Sequence, residues 1–378
     1  MLHFKINSQV LADSLKKIEK VVNPKHTIPI LQGISMEVTQ EEIILIGSDS
    51  TESFRYHIPV DGESVEVFEC GKAVLPKQVC EIAKKLKTQL ELKLENFNLS
   101  IKYGKKSEFT LNTFDYEEYP KLPKFNIDKP SLTFKGADFG VLIKRTAYAA
   151  SDSETRPILT GVNMSLESDC MTLVATDSHR LGQIKSTKIT TEEPMSLVIP
   201  AKALDKLAKT FDLQEDISVY CESNNQVVFR SGQLFFYTRV LEGNYPDTTR
   251  LMPNSFKSEM KIGRKELLDS LDRISGLASG ADNGKGGVVK LFVNGAATIS
   301  THQSQIGKGQ EVVEYEELNG EDNFTISFSA KYLIDALKAV ESDYILFKYQ
   351  GDNRPFIITP TDSEYDETQL ILPVRTLT

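Results

Sequence analysis

The stretch Thr155–Met164, T-R-P-I-L-T-G-V-N-M, is a near copy of the earlier stretch Thr27–Met36, T-I-P-I-L-Q-G-I-S-M. The threonine, proline, isoleucine, leucine, glycine and methionine positions match outright. Two further positions exchange Ile for Val and Ser for Asn. Chance matching at one spacing rarely gives this agreement, so the stretch marks an internal repeat, which has to be traced along the chain before a fold is inferred.

A unit of one short strand followed by one amphipathic helix occurs three times at the same spacing. The predicted strand and helix pairs are Leu2–Ile6 with 9–25, Leu132–Phe134 with 137–151, and Met260–Ile262 with 263–279. A second helix with apolar residues at i, i+3, i+4 and i+7 recurs, which predicts one buried face in each copy. These second helices are predicted at 75–88, 201–212 and 329–342.

Short alternating runs between the helices predict strands joined by hairpins. The clearest runs are Glu42–Ile46, Glu91–Leu94, Leu99–Tyr103, Phe109–Leu111, Ile217–Cys221, Val227–Arg230 and Leu234–Val240. Proline-marked connectors follow Tyr119 and Tyr245. We therefore expect an α+β fold of three repeated domains, 1–126, 127–254 and 255–378, each with two helices on one face of antiparallel sheet.

Composition limits the classes of function. The 378 residues are typical of globular domains, and no apolar run is long enough to cross a membrane. The start of the sequence does not have the pattern of a signal peptide, so a cytoplasmic protein is the expectation. Four cysteines show no metal-ligand spacing, and we expect neither a metal nor another cofactor.

Positive charge is concentrated on the predicted helices, although the whole chain has a formal net charge of −9. Lys77 and Lys202 occupy one repeated helix position, and Lys84 and Lys209 occupy another, both directed away from the apolar face. Such lysines predict contacts with phosphates that carry no sequence information. A solvated helix face is the ordinary alternative for any single one of these lysines.

Several motifs resemble one known family over the full length and in the family's order. They are Thr27–Gly33, Gly47–Ser50, Ser153–Gly161, Ala175–Leu181, Gly243–Asp247, Arg354–Phe356 and Gln369–Arg375. The sequence is similar to the beta subunit of bacterial DNA polymerase III, the sliding clamp, of the Gram-positive type. This resemblance implies the DNA clamp fold, a head-to-tail homodimeric ring around duplex DNA, and a processivity factor that performs no catalysis.

The resemblance also implies binding residues. Lys25 stands beside the first repeated stretch, and Lys84 and Lys202 match basic positions that face DNA in the family. A hydrophobic cleft would take short peptide motifs from the replicative polymerase, the clamp loader and repair proteins. The matching cleft positions are Leu159, Thr176, Ser178, His179, Arg180, Leu181, Pro246, Arg250, Leu251, Leu370, Leu372, Pro373, Val374 and Arg375. The dimer seam would involve Phe109 and Leu277.

Other functions remain to be weighed. Asp177, Ser178 and His179 are the residue types of a hydrolytic triad, but consecutive residues cannot adopt the triad geometry. A divergent second clamp, or a peptide-binding scaffold that does not enclose DNA, would share the same motifs. The glycine-rich segment 279–287 and the tail beyond Arg375 depart from the family pattern and bear on the seam and the cleft edge.

Overall fold

The computed structural model describes residues 2–191, 193–222, 225–278, 287–301 and 307–375. Residues 279–286 of the glycine-rich segment and the tail beyond Arg375 lie outside this set. The chain forms two compact units, Met1–Asp138 with Lys206–Val240, and Phe139–Asp205 with Leu241–Thr378. Each unit is described by itself.

Each repeat contains the two predicted helices. They are α1 (Ser8–Ile18), α2 (Gln78–Lys85), α3 (Gly136–Thr146), α4 (Ala201–Ala208), α5 (Arg264–Ala278) and α6 (Ala330–Ala339). All are shorter than the periodicity predicted. The first helix ends at Ile18 rather than Lys25, because Val21 and Val22 continue in turns and bury their side chains along a non-helical path.

Two antiparallel sheets make up the first unit. Its strands are β1 (Leu2–Asn7), β2 (Gly33–Val38), β3 (Glu42–Ser48), β4 (Glu52–Pro59), β5 (Val65–Glu69), β6 (Gly71–Pro76), β7 (Gln89–Glu95), β8 (Asn98–Tyr103), β9 (Ser107–Asn112), β10 (Leu132–Lys135), β15 (Asp216–Glu222), β16 (Gln226–Ser231) and β17 (Leu234–Arg239). One sheet has the order β5-β1-β7-β8-β9, and the other has the order β10-β15-β16-β17-β4-β3-β2-β6. The predicted hairpins are confirmed.

The second unit has the same plan. Its strands are β11 (Gly161–Leu166), β12 (Met171–Thr176), β13 (Arg180–Ser186), β14 (Met195–Pro200), β18 (Ser258–Gly263), β19 (Val288–Asn294), β20 (Ala297–Thr301), β21 (Gln310–Val313), β22 (Tyr315–Gly320), β23 (Asn323–Ser329), β24 (Tyr344–Tyr349), β25 (Phe356–Pro360) and β26 (Asp366–Ile371). The sheet orders are β14-β11-β12-β13-β26-β25-β24-β18-β22 and β21-β20-β19-β23.

Neighbouring repeats are joined by one strand pair at each junction. At the first junction β4 pairs with β17 and Phe54 lies opposite Phe236, with ring centroids 4.7 Å apart. At the second junction β13 pairs with β26 and Gly182 lies opposite Gln369. Phe54 and Gly182 are repeat-related, so the two junctions have the same register. Each compact unit is therefore built around a junction, and the domain boundaries near 127 and 255 stay predictions.

One glycine illustrates how tightly the second junction is packed. A Cβ atom at Gly182 would lie 3.0 Å from Gln369 Oε1 and 3.1 Å from the Arg145 carbonyl oxygen. Gln369 is fully buried, and its amide donates to that carbonyl while Tyr148 donates to its oxygen at 2.6 Å. The glycine leaves the room that this buried amide needs.

Candidate functional site

The hairpin between β12 and β13 presents five of the fourteen predicted cleft residues, Thr176, Ser178, His179, Arg180 and Leu181. Asp177 accepts hydrogen bonds from the backbone N–H groups of His179 (2.8 Å) and Arg180 (3.0 Å) through one carboxylate oxygen. Ser178 adopts a left-handed conformation with φ of 75°, and Thr176 donates its hydroxyl to the Arg180 carbonyl at 2.6 Å. These local bonds fix the turn, a common role for Asp and Thr beside a left-handed residue.

Arg180 is only 7% exposed, so it supports the site from below rather than lining its rim. Its guanidinium donates to Asp177 Oδ2 at 3.1 Å and to Asp335 Oδ2 at 2.6 Å. The rings of Tyr148 and Tyr332 lie on it, with centroids 5.3 Å and 4.8 Å from the guanidinium carbon. Paired with carboxylates and stacked on rings, this buried arginine has its charge compensated.

The first junction has the same contact with the two charges exchanged. Glu52 occupies the place of Arg180, and Lys206 on α4 occupies the place of Asp335 on α6. The Lys206 ammonium binds the Glu52 carboxylate within the first unit. The turn is also repeated, because Asp49 caps the N–H groups of Thr51 and Glu52 and Ser50 has φ of 73°.

An apolar cluster lies on the sheet face beside the hairpin. Val174, Leu181, Ile357 and Leu370 are its buried members, and Tyr245, Met252, Phe256 and Leu372 pack against them. The Tyr245 hydroxyl accepts from the Thr176 N–H at 3.1 Å, and burial raises the pKa of this tyrosine. Tyr245 therefore stays neutral and joins the connector to the hairpin.

The C-terminal predicted residues run along the edge of this cluster. Leu372 donates its N–H to the His179 carbonyl at 2.9 Å, and Val374 donates to the Ser327 carbonyl at 2.7 Å. Leu372 and Pro373 are half-buried, whereas Val374 and Arg375 are exposed. The structure thus brings Leu372 into direct contact with the hairpin.

The remaining predicted positions differ in burial. Leu159 is buried in a 3-10 turn, Pro157–Thr160. Pro246 is exposed, and Leu251 is 50% exposed. Arg250 is exposed and pairs with Asp247 at 3.2 Å. Leu251 and Arg250 therefore leave an apolar and a cationic side chain open to solvent.

Sequence reasoning missed two tyrosines of this region. Tyr332 on α6 lies parallel to the His179 ring, with centroids 6.2 Å apart, and also stacks on Arg180. Tyr148 follows α3 and connects Arg180 with Gln369; burial raises its pKa. The repeated helix pattern predicted a helix at 329–342 but gave no reason to select Tyr332.

The predicted DNA-contacting lysines differ in their exposure and in the protein groups that bind them. In the first unit Lys25 and Lys209 are exposed. Lys77 donates to the Val22 carbonyl, and Lys84 is bound by Glu19 at 2.9 Å and Glu81 at 3.3 Å. These bonds raise the pKa of Lys84.

Lys202, in the second unit, is 83% exposed, 3.7 Å from Asp152. Such a loose surface pair contributes little to stability. The ammonium of Lys202 is therefore more accessible to phosphate than those of Lys77 and Lys84.

Two further observations concern other classes of protein. Among the described residues, one group of possible metal ligands lies within 4.8 Å, Glu167, Asp169 and Cys170, and its carboxylates are exposed. No helix in the described part of the chain is long and apolar enough to span a membrane. The Asp177 carboxylate binds the backbone N–H groups of the turn and the guanidinium of Arg180, so its role is structural.

Comparison with known proteins covers the whole chain. Models of the DNA polymerase III beta subunit match residues 2–123 (N-terminal domain), 133–247 (central domain) and 249–375 (C-terminal domain). The Beta sliding clamp of Staphylococcus epidermidis is 39% identical over 385 residues and is covered completely. That of Bacillus subtilis is 39% identical over 389 residues, with 99% of this chain covered.

Solved structures give the same result. The DNA polymerase sliding clamp from Bacillus subtilis has a TM-score of 0.92 at 38% identity, with 100% of both chains covered. The DNA polymerase III beta chain from Streptococcus pneumoniae has a TM-score of 0.94 at 35% identity, again with 100% of both chains covered. With its repeats, sheets and full length all matched, the chain belongs to the family of beta sliding clamps, the non-catalytic beta subunits of DNA polymerase III.

Proposed function

We propose that this chain forms a head-to-tail homodimeric ring that encloses duplex DNA, slides along it, and tethers the replicative polymerase. The observation that carries the proposal is a pair of complementary sheet edges. In the described residues β9 pairs only with β8, and β21 pairs only with β20. β9 is the repeat counterpart of β17 and β26, while β21 is the counterpart of β4 and β13. The two edges are thus of the types that join in both internal junctions.

A contact between β9 of one copy and β21 of another is heterologous, and such contacts close into a ring when the rotation permits. Continuing the common register would place Phe109 opposite Gly309, as Phe236 lies opposite Phe54 and Gln369 opposite Gly182. A Cβ atom at Gly309 would lie 2.8 Å from Leu277 Cδ1 and 3.0 Å from Ile274 Cδ1. The side chains of Leu277 and Ile274 therefore lie over Gly309, and Phe109 would pack against Leu277.

The proposed DNA contacts use the exposed lysines. Lys25, Lys202 and Lys209 are exposed and would meet phosphates directly. Lys77 and Lys84 would contribute mainly to the local potential, because the Val22 carbonyl accepts from Lys77 and the Glu19 and Glu81 carboxylates bind Lys84. Long lysine side chains act as mobile point charges, and phosphate contacts of this kind permit sliding.

The proposed partner site is the surface around the apolar cluster of the second unit. Its buried aliphatic floor suits apolar anchors of a short peptide, while Leu251, Val374, Arg250 and His179 provide edge contacts. The polymerase, the clamp loader and repair proteins would share this one site. The three proposed domains remain 1–126, 127–254 and 255–378.

The decisive experiment uses topology. The chain is loaded with its clamp loader and ATP onto nicked circular DNA and isolated by gel filtration. We expect it to co-elute with the circle and to be lost after one restriction cut, because only linkage around the duplex depends on free ends.

Equal retention before and after cutting would contradict enclosure and favour ordinary surface binding. Loss from both forms would favour a peptide-binding scaffold that does not enclose DNA.

A further inference from the structure

The outer sheet face of the first junction corresponds, strand by strand, to the face that carries the candidate peptide cleft. The repeat relates Ile357 and Leu370 of the cleft cluster to Val228 and Tyr237, and the junction registers agree. Tyr220, Val228, Phe235 and Tyr237 form a buried cluster on that face of the first unit. The first junction therefore contains an aromatic counterpart of the cleft floor.

The connectors that follow Tyr119 and Tyr245 contact these related faces differently. Tyr119-Pro120 and Tyr245-Pro246 align, so Phe125 is the counterpart of Leu251. Leu251 is 50% exposed. Phe125 instead turns inward and contacts the rings of Tyr220, Phe235 and Tyr237, with centroids 5.0, 5.8 and 5.7 Å away.

Leu122, three residues before Phe125, packs on the same cluster. Residues 120–126 belong to no helix or strand, so side chains make most of the attachment. Pro120 and Pro123 hold this segment extended and remove two backbone donors. A short, extended, proline-containing segment with two apolar anchors has the form of a peptide ligand laid on a surface.

We propose that Leu122 and Phe125 are an internal occupant of the first junction, covering a surface that would otherwise bind peptides as the cleft of the second unit does. This inference rests on the proposed peptide-binding function. The occupant keeps the number of open peptide sites at one per chain, even though the repeat supplies two related faces.

The test removes the occupant and supplies it in trans. The full-length double variant Leu122→Ala/Phe125→Ala is titrated against a fluorescent peptide with the sequence of residues 119–127, and polarisation is measured. We expect the double variant to bind at least ~10-fold more tightly than the wild type, about 1.4 kcal/mol. A peptide with both anchors replaced by alanine should lose this gain.

The peptide would bind the second-unit cleft equally in the wild type and the variant. Only the additional binding by the variant therefore measures the first junction. A folded double variant without excess binding would overturn the proposal and leave the ring untouched, since enclosure is tested by the circular DNA. If the double variant does not fold, Phe125→Leu, which installs the residue found at position 251, is judged by the same excess.

Discussion

Arg180 is a buried residue that supports the proposed peptide-binding surface through its contacts within the protein. Its guanidinium lies between two tyrosine rings and two carboxylates, and the next residue, Leu181, forms part of the cleft floor. Sequence resemblance placed Arg180 and Arg250 together as cleft residues. The structure separates them, since the first is buried and the second is solvent-exposed.

Replacing Arg180 with alanine should therefore destabilise the second unit. Asp177 and Asp335 would lose a buried partner, a change that typically costs about 3–5 kcal/mol. Urea unfolding followed by circular dichroism measures the loss. The matched control is Arg250→Ala, which should change the free energy of unfolding by less than about 0.5 kcal/mol.

A loss for Arg250→Ala as large as that for Arg180→Ala would contradict this assignment of roles. Intact stability of Arg180→Ala would mean that the buried cation is dispensable for the hairpin.

At the scale of elements, the proposed dimer seam lies between β9 of one copy and β21 of another. Both are short strands with exposed polar residues, which limits indiscriminate pairing. The register of the two internal junctions, continued to the proposed seam, would place Glu108 opposite Gln310. The same register would bring the exposed Phe109 against Leu277, whose side chain lies over Gly309.

Cysteine cross-linking tests this register. Glu108→Cys combined with Gln310→Cys should give a covalent dimer under mild oxidation, because directly opposed residues have Cβ atoms about 4.5–5.5 Å apart. Non-reducing electrophoresis reports the yield. The control, Thr110→Cys with Gln310→Cys, places the cysteines diagonally, about 7–8 Å apart, and should link poorly.

An equal yield from the diagonal pair would contradict the proposed register, and the absence of any dimer by mass would contradict the seam itself.

The elements also show what a sequence can and cannot predict. The repeat gave the helices and hairpins because each depends on local periodicity, as in Leu2–Asn7 and Asn98–Tyr103. Long-range partners were not predictable. Lys84 has an ordinary solvated position in its own helix, yet Glu19 from α1 binds it. Phe125 looked like part of a linker, and only the fold brings it onto three aromatic rings.

For the whole molecule, the sign of the total charge is a poor guide to its partners. A net charge of −9 would repel DNA if it were evenly spread, but the six helices carry more Lys and Arg than Asp and Glu. Exposed lysines should matter more than those already bound by carboxylates. This difference can be measured because the chain offers exposed lysines on strands as matched controls.

The double variant Lys25→Glu/Lys202→Glu should weaken binding to duplex DNA and flatten its dependence on salt. Each lost phosphate contact lowers the slope of log affinity against log salt by about 0.9. Fluorescence anisotropy over a salt series measures both effects. The control Lys102→Glu/Lys290→Glu makes the same charge change at exposed strand positions and should keep the wild-type slope.

Equal slopes for the two double variants would mean that DNA is held by some other surface.

The exchanged ion pairs, Glu52 with Lys206 and Arg180 with Asp335, have a consequence for how the chain sorts its own copies during folding. Three similar repeats on one chain could dock in the wrong order, with the first hairpin against the last helix. That mistake would bring Glu52 against Asp335 and leave Arg180 facing Lys206, so like charges would meet at both places. Although the two turns match, their opposite charges thus let each hairpin distinguish its own helix from the corresponding helix of another repeat.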